Sequence, residues 1–160
     1  MTTFNPGKLN SYLMLNLPSA WLCGVRVKEI DEESCTVEVK HSWINKNPFN
    51  SLYFAVQAMA AELSTGALVM QGVQNTPRKI SMLVASNKST FLKKATGKIK
   101  FTCYGGHLVP GMIDKAIETG EGQTFWMKST AMNETGEQVA VFEFEWTIKV
   151  KNEIALDTMV

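Results

Sequence analysis

One long apolar segment, from Asn47 to Pro77, constrains the fold of this chain more than any other feature. Glu62 is its single charged residue, and small residues such as Ala60 and Gly66 fill its middle. Small and apolar residues over about twenty positions are typical of a helix that is buried in a protein core. We therefore predict a central helix over about 51–71, ended by the glycine, asparagine and proline signals that follow it.

Length, charge and cysteine content limit the classes of protein to which this chain can belong. The chain has 160 residues, and we expect residues 1–160 to form a single domain. A net charge of +1 gives no general attraction to nucleic acid or to a membrane surface, and polar residues interrupt the long helix too often for a membrane span. The three cysteines form no CxxC pair, and no signal peptide is apparent, so we expect a cytoplasmic protein without disulfides or a metal site.

The rest of the chain has strand patterns. A short leading helix is predicted over about 7–17, and a hairpin is predicted between Leu22 and Ser42. After the central helix, alternating apolar and polar residues predict four strands and no second strongly amphipathic helix. The strands are expected near Ile80 to Phe91, Gly97 to Tyr104, Gln123 to Met132 and Gln138 to Val150. The last ten residues are expected to fray.

This order of elements is characteristic of the hotdog fold. It is an α+β fold in which an antiparallel sheet of five or six strands wraps around one long central helix. The segment SLYFAVQAMAAELSTGAL resembles the helix of hotdog thioesterases of the phenylacetyl-CoA type, and Glu62 takes the place of their acid. Asn47-Pro48-Phe49 and the run from Ala60 to Gly66 resemble an uncharacterised branch of that superfamily. The His-Gly-Gly pattern of many members is not present in the chain.

Glu62 is the candidate catalytic residue. Thioester hydrolysis needs an activated water or a carboxylate nucleophile, and donors aimed at the developing oxyanion. Burial would raise the pKa of Glu62 toward the useful range for a base. The structural alternative is a buried glutamate that backbone amides or a strand hydroxyl hold in place.

Candidate groups that orient the substrate or bind the oxyanion lie around the helix. They are Asn47, Asn50, Ser51, Tyr53 and Thr65. For the asparagines and Ser51, turn and helix-cap roles are the structural alternative. The helix start lies about 13 Å of helix axis from Glu62, so one subunit cannot present both to the same carbonyl. The resemblance implies a homodimer with two sites between the helices, or a tetramer built from it.

Other residues suggest how a ligand binds. Lys93 and Lys94 fall in a basic turn that is either a solvated sheet edge or a weak site for coenzyme A phosphates. Methionines on apolar faces, among them Met59, Met70, Met82 and Met127, predict a pliable interior or acyl pocket.

The leading functional hypothesis is a thioesterase that acts on an acyl-CoA or another acyl thioester, such as an acyl carrier protein adduct, and needs no cofactor. The second hypothesis is a hotdog dimer that binds acyl thioesters without catalysis. The third hypothesis is a hotdog dehydratase or hydratase. The aspartate and histidine pair that the resemblance to those enzymes would imply is not found in this sequence.

Overall fold

A computed structural model describes residues 4–151 of the protein. Residues 1–3 and 152–160, which include nine of the ten residues expected to fray, lie outside the described part. The elements, in chain order, are α1 Pro6–Asn16, α2 Pro18–Leu22, β1 Arg26–Ile30, β2 Cys35–Lys40, α3 Phe54–Gln74, β3 Ile80–Phe91, β4 Lys98–Cys103, α4 Leu108–Thr119, β5 Gln123–Met132 and β6 Gln138–Val150.

The strands form a six-stranded sheet in the order β1-β2-β4-β5-β6-β3, and every neighbouring pair is antiparallel. Burial alternates along β5 and β6, with one face toward the core and the other toward solvent. Phe142, Trp146 and Ile148 are among the core side chains of β6. The predicted sheet of five or six antiparallel strands is therefore confirmed at six.

Helix α3 lies against the core face of the sheet and contacts all six strands. Small residues make this close approach feasible, since Ala60 and Ala61 are fully buried against it. A Cβ atom on Gly66 would lie 2.9 Å from Trp146 Cζ2, which is too close for an ordinary contact. The prediction of one long helix enclosed by the sheet is confirmed.

The two edges of the sheet differ. At the β1 edge, the Asn10 side chain of α1 donates to Val27 O and accepts from Val27 N, each at 2.9 Å. These bonds occupy backbone groups that an edge strand otherwise leaves unpaired. Strand β3 forms the opposite edge, and its outer side pairs with no other strand within residues 4–151. An open edge of twelve residues is a template for pairing with another chain.

The structure corrects the prediction that no second amphipathic helix follows the first. Helix α4 covers Leu108–Thr119 and buries Val109, Ile113 and Ala116. Pro110-Gly111 reads as a turn in the sequence, but Pro110 lies in the first helical turn, where its missing N–H costs nothing. A helix with a proline and glycine pair in its first turn is therefore easily taken for a loop.

Two boundaries of helices and strands also differ from the predicted ones. Helix α3 begins at Phe54 instead of near residue 51, because the residues before it form a hydrogen-bonded loop. The leading helix ends at Asn16, within one residue of its predicted end, and Pro18 begins a further short helix, α2, that was not predicted. The first strand of the hairpin consequently starts at Arg26 instead of Leu22.

Candidate active site

A cleft of about 290 Å³ separates α1 and α2 from the outer face of α3. Helix α3 contributes residues spaced three and four apart, which places them on one face of that helix. Met82 of β3 and Trp146 of β6 close one side of the cleft. The α3 residues in the lining are Met59, Glu62, Leu63, Gly66, Ala67 and Met70.

Glu62 is the acidic residue in this lining. Its side chain is exposed, because it lies on the face of α3 opposite the buried Ala60, Ala61 and Ser64. No residue within 4–151 donates a hydrogen bond to its carboxylate or forms an ion pair with it. Partial burial by the cleft walls raises the pKa of the Glu62 carboxyl. The structural alternative, a buried glutamate that backbone amides or a strand hydroxyl hold in place, is therefore not found in residues 4–151.

Thr65 is fully buried beneath the cleft. Its hydroxyl donates to Glu62 O at 2.9 Å and accepts from Trp146 Nε1 at 3.0 Å. Both bonds tie Trp146 to the helical turn that carries Glu62. The Thr65 hydroxyl thus positions the indole in the cleft wall, and it does not face the space where a ligand would lie.

The other candidate residues form a loop before α3. Asn47 organises this loop, since its Oδ1 accepts from Phe49 N at 3.0 Å and Ser51 N at 3.2 Å, and its Nδ2 lies 2.9 Å from Ser51 Oγ. Asn50 has a left-handed backbone with φ of 56°, a conformation that asparagine tolerates well. Ser51 is buried within the loop.

Tyr53 joins this loop to the helix. Its backbone N–H donates to Asn45 O at 2.8 Å, and its ring is half-exposed beside that of Phe54. No side chain of residues 4–151 caps the start of α3, and the N–H groups of Phe54 and Ala55 come too early in the helix to have an intrahelical acceptor. Within the described chain, Asn47, Asn50, Ser51 and Tyr53 do not line the cleft that holds Glu62.

The two candidate lysines differ in their surroundings. Lys93 forms an ion pair with Glu137, and this pair lowers the pKa of the Glu137 carboxyl. Lys94 Nζ lies 3.4 Å from Phe49 O, so it reaches the loop that precedes α3. Lys94 is thus the lysine that lies next to the start of the central helix.

The contribution of α1 to the cleft was not expected from the sequence. Leu9, Tyr12 and Leu13 line it, although their helical spacing indicated only a leading helix. Of the methionines expected in an interior or acyl pocket, Met59, Met70 and Met82 line the cleft, and Met127 is buried in the core. The three methionines of the cleft were the sequence signal for this site.

Two further properties of residues 4–151 bear on function. No group of three or more histidine, cysteine, aspartate or glutamate side chains among them is placed to hold a metal ion. In the same range, no helix has the length and apolar content needed to cross a bilayer.

Several solved structures have the same fold. PA5026 from Pseudomonas aeruginosa, a protein of unknown function and probable thioesterase, is 18% identical, with a TM-score of 0.76 over 92% of this chain and 97% of PA5026. OLEI01261 from Chlorobaculum tepidum, of unknown function, is 15% identical, with a TM-score of 0.79 over 92% and 94% of the two chains. Thioesterase HI1161 from Haemophilus influenzae is 14% identical, with a TM-score of 0.71 over 96% of each chain.

These similarities confirm the predicted hotdog fold, which the chain shares with thioesterase-like proteins. No curated protein matches its sequence. The sequence model of a domain of unknown function, DUF4442, matches residues 8–148, which is most of the chain. The expected place in an uncharacterised branch is confirmed, and the protein belongs to the DUF4442 family.

Proposed function

We propose that the protein hydrolyses the thioester of an acyl-CoA, with Glu62 as general base or nucleophile. The observation that carries this proposal is the position of the Glu62 carboxylate, which has no partner among residues 4–151 and lines a largely apolar cleft within reach of solvent. An apolar pocket with one convergent acid of raised pKa is a typical arrangement for a hydrolytic site. The thioesterases among the proteins of the same fold agree with this chemistry.

In the base mechanism, Glu62 takes a proton from a water molecule while the water oxygen attacks the thioester carbonyl carbon. The C–S bond then breaks, and the sulfur leaves as a thiolate that takes up the proton held by Glu62. The products are a carboxylic acid and the free thiol. In the nucleophile mechanism, a Glu62 oxygen attacks the carbonyl carbon, the C–S bond breaks and the thiolate leaves. Water then hydrolyses the resulting anhydride, which releases the carboxylic acid and restores Glu62.

Oxyanion donors have to come from a second subunit under this proposal. The free N–H groups at the start of α3 are suited to this role, and Asn47, Asn50, Ser51 and Tyr53 shape the loop that presents them. The N–H group of Phe54 lies about 12 Å along the helix from Glu62 of the same chain.

The open edge of β3 offers a way to bring these parts together. Met82, near the start of β3, lines the cleft, and Phe91, at its end, packs against Phe54 with a ring separation of 6.4 Å. Antiparallel pairing of two β3 strands would place the Phe91 end of one strand beside the Met82 end of the other. A symmetric homodimer would then set the helix start of each subunit near the cleft of its partner. Two such dimers could associate further into a tetramer.

Coenzyme A phosphates have a candidate partner at the same helix start. Lys94 is unpaired with any carboxylate among the described residues and contacts the loop at Phe49. Lys93 is a weaker candidate, because Glu137 already neutralises it.

A non-catalytic acyl-thioester-binding dimer is the second candidate function. It is favoured by the absence of any described hydrogen-bond partner that would orient the Glu62 carboxylate. Without an orienting partner, a carboxylate is a less effective base.

Hydrolysis of acyl-CoA esters by wild type and Glu62→Gln separates the two functions. Loss of the base should lower kcat by about 10²-fold to 10⁴-fold while the circular dichroism spectrum stays unchanged. Glu118→Gln, at an exposed position of α4 outside the cleft, is the matched control and should retain full turnover. Tight binding of acyl-CoA esters without turnover by the wild type would support the non-catalytic function instead.

A further inference from the structure

The cleft beside Glu62 continues along α3. A second hollow of about 330 Å³ shares Leu9, Tyr12 and Met70 with it, and is completed by residues near the chain start and by Gln74. Both hollows lie between α1 and the outer face of α3. Because three residues line both hollows, we treat the two as one groove, which we call the α1–α3 groove.

Glu62 lies near one end of this groove. Of the α3 residues that line it, Met59 lies one turn before Glu62, whereas Gly66, Met70 and Gln74 follow it at one-turn intervals. A group held with its carbonyl at Glu62 therefore finds most of the apolar surface in the direction of Met70.

The dimensions define what fits. From Glu62 to Met70 the helix rises about 12 Å, and an extended chain covers about 1.2 Å per bond, since a residue of three bonds spans at most about 3.6 Å. The distance corresponds to about ten bonds. The volume of the hollow that contains Glu62 is consistent with a chain of this length. At about 290 Å³ it is roughly twice the size of a 150 Å³ apolar cavity that holds the six carbons of benzene.

We infer that the α1–α3 groove binds the acyl group of the substrate as an extended, unbranched aliphatic chain of about eight to twelve carbons. This inference rests on the proposed function for the position of the thioester at Glu62. The flexible side chains of Met59, Met70 and Met82 can pack along such a chain. Met70 lies where the two hollows join. We place the end of the chain there because Asn5, Lys8 and Gln74 contribute polar side chains to the lining beyond it.

Binding of S-alkyl coenzyme A thioethers tests the groove without any hydrolysis, because these compounds have no carbonyl to attack. In wild type, affinity measured by calorimetry should rise about fourfold for each added methylene and level off near ten carbons. Met70→Trp should weaken S-decyl-CoA binding at least tenfold and leave S-hexyl-CoA binding within threefold. The matched control, Met14→Trp, substitutes an exposed residue of α1 outside the groove and should behave as wild type.

A second measurement needs no variant and covers the case in which Met70→Trp does not fold. The indole of Trp146 lies against Gly66, about one turn from Glu62. A bromine near carbon five of the alkyl chain should quench the fluorescence of wild type more strongly than a bromine at carbon ten.

The outcomes separate this inference from the proposed function. Chain-length-dependent binding without thioester turnover supports the groove and removes hydrolysis. Turnover of acyl-CoA esters with binding that is independent of chain length, or an equal effect of Met70→Trp and Met14→Trp, overturns the groove assignment and leaves hydrolysis standing.

Discussion

The indole N–H of Trp146 donates a hydrogen bond of 3.0 Å to the hydroxyl of Thr65, across 81 positions of sequence. Because the same hydroxyl donates to the carbonyl of Glu62, one threonine fixes both the wall of the cleft and the helical turn that carries the candidate catalytic acid. Trp146 is buried and Gly66 leaves room for its ring. The shape of the cleft therefore depends on a polar contact in the protein core.

Replacement of this hydroxyl tests that dependence. Thr65→Val leaves the buried indole N–H without an acceptor, which should lower the free energy of unfolding by about 1–3 kcal/mol. Thr65→Ser keeps the hydroxyl and should recover most of the loss. Urea denaturation measures both, and Thr124→Val, at an exposed position of β5, should change stability by less than about 0.5 kcal/mol. Equal losses for Thr65→Val and Thr124→Val would contradict the role of this bond.

The raised pKa of Glu62 also predicts a dependence of stability on pH. A carboxyl whose pKa is higher in the folded state is favoured there in its protonated form, so the folded protein loses stability as pH rises from the unfolded pKa of about 4.3 through the folded value. Glu62→Gln has no titrating carboxyl at this position, so it removes this loss of stability at higher pH. The variant should be slightly more stable than wild type at pH 7, and the two should converge below pH of about 4.

Thermal unfolding at a series of pH values measures this difference. The gain is expected to be small, because the carboxylate is exposed and partly screened by solvent. A variant that is less stable than wild type at neutral pH would show that Glu62 has a stabilising partner.

Catalysis should depend on pH in the opposite sense. The ionised form of Glu62 is the active base or nucleophile, so kcat/KM should rise with pH through the raised pKa of this carboxyl and level off above it. The inflection should lie above the ordinary glutamate value of about 4.3. A rate that falls over the same pH range would exclude an ionised carboxylate as the catalytic group.

The cysteines should differ in reactivity. Cys35 and Cys103 face each other across β2 and β4 and are fully buried. Burial raises the pKa of the Cys35 thiol to about 12 and that of Cys103 to about 11, so almost no thiolate forms near neutral pH. Maleimide should label the partly exposed Cys23 in the folded protein and all three cysteines in urea. Fast labelling of Cys35 or Cys103 without denaturant would show that the β2–β4 region opens.

The sequence predicted the parts of the fold that repeat a local pattern. Alternation along Ala140, Phe142 and Phe144 predicted β6, and the small residues of the apolar segment predicted α3. Helix α4 was missed because Pro110-Gly111 mimics a turn, although Val109, Ile113 and Ala116 keep helical spacing.

Less of the candidate site could be predicted from the sequence. Glu62 was singled out by its charge, but which face of α3 it occupies depends on how the sheet and α1 pack around that helix. The bond between Trp146 and Thr65 joins residues far apart in sequence, and no local pattern predicts such a pair. The hydrogen bonds of Asn47 to its own loop are likewise decided by the path of the backbone between β2 and α3.

The central claim is that Glu62 of one subunit acts with the helix start of its partner, and complementation between two inactive variants tests it most directly. Glu62→Gln and Asn47→Ala should each lose turnover of decanoyl-CoA as homodimers. After equal amounts are mixed and allowed to exchange subunits, half of the dimers carry one intact site of two, so about a quarter of wild-type activity should return. A mixture no more active than its separate components, or full activity in either variant alone, would contradict the claim.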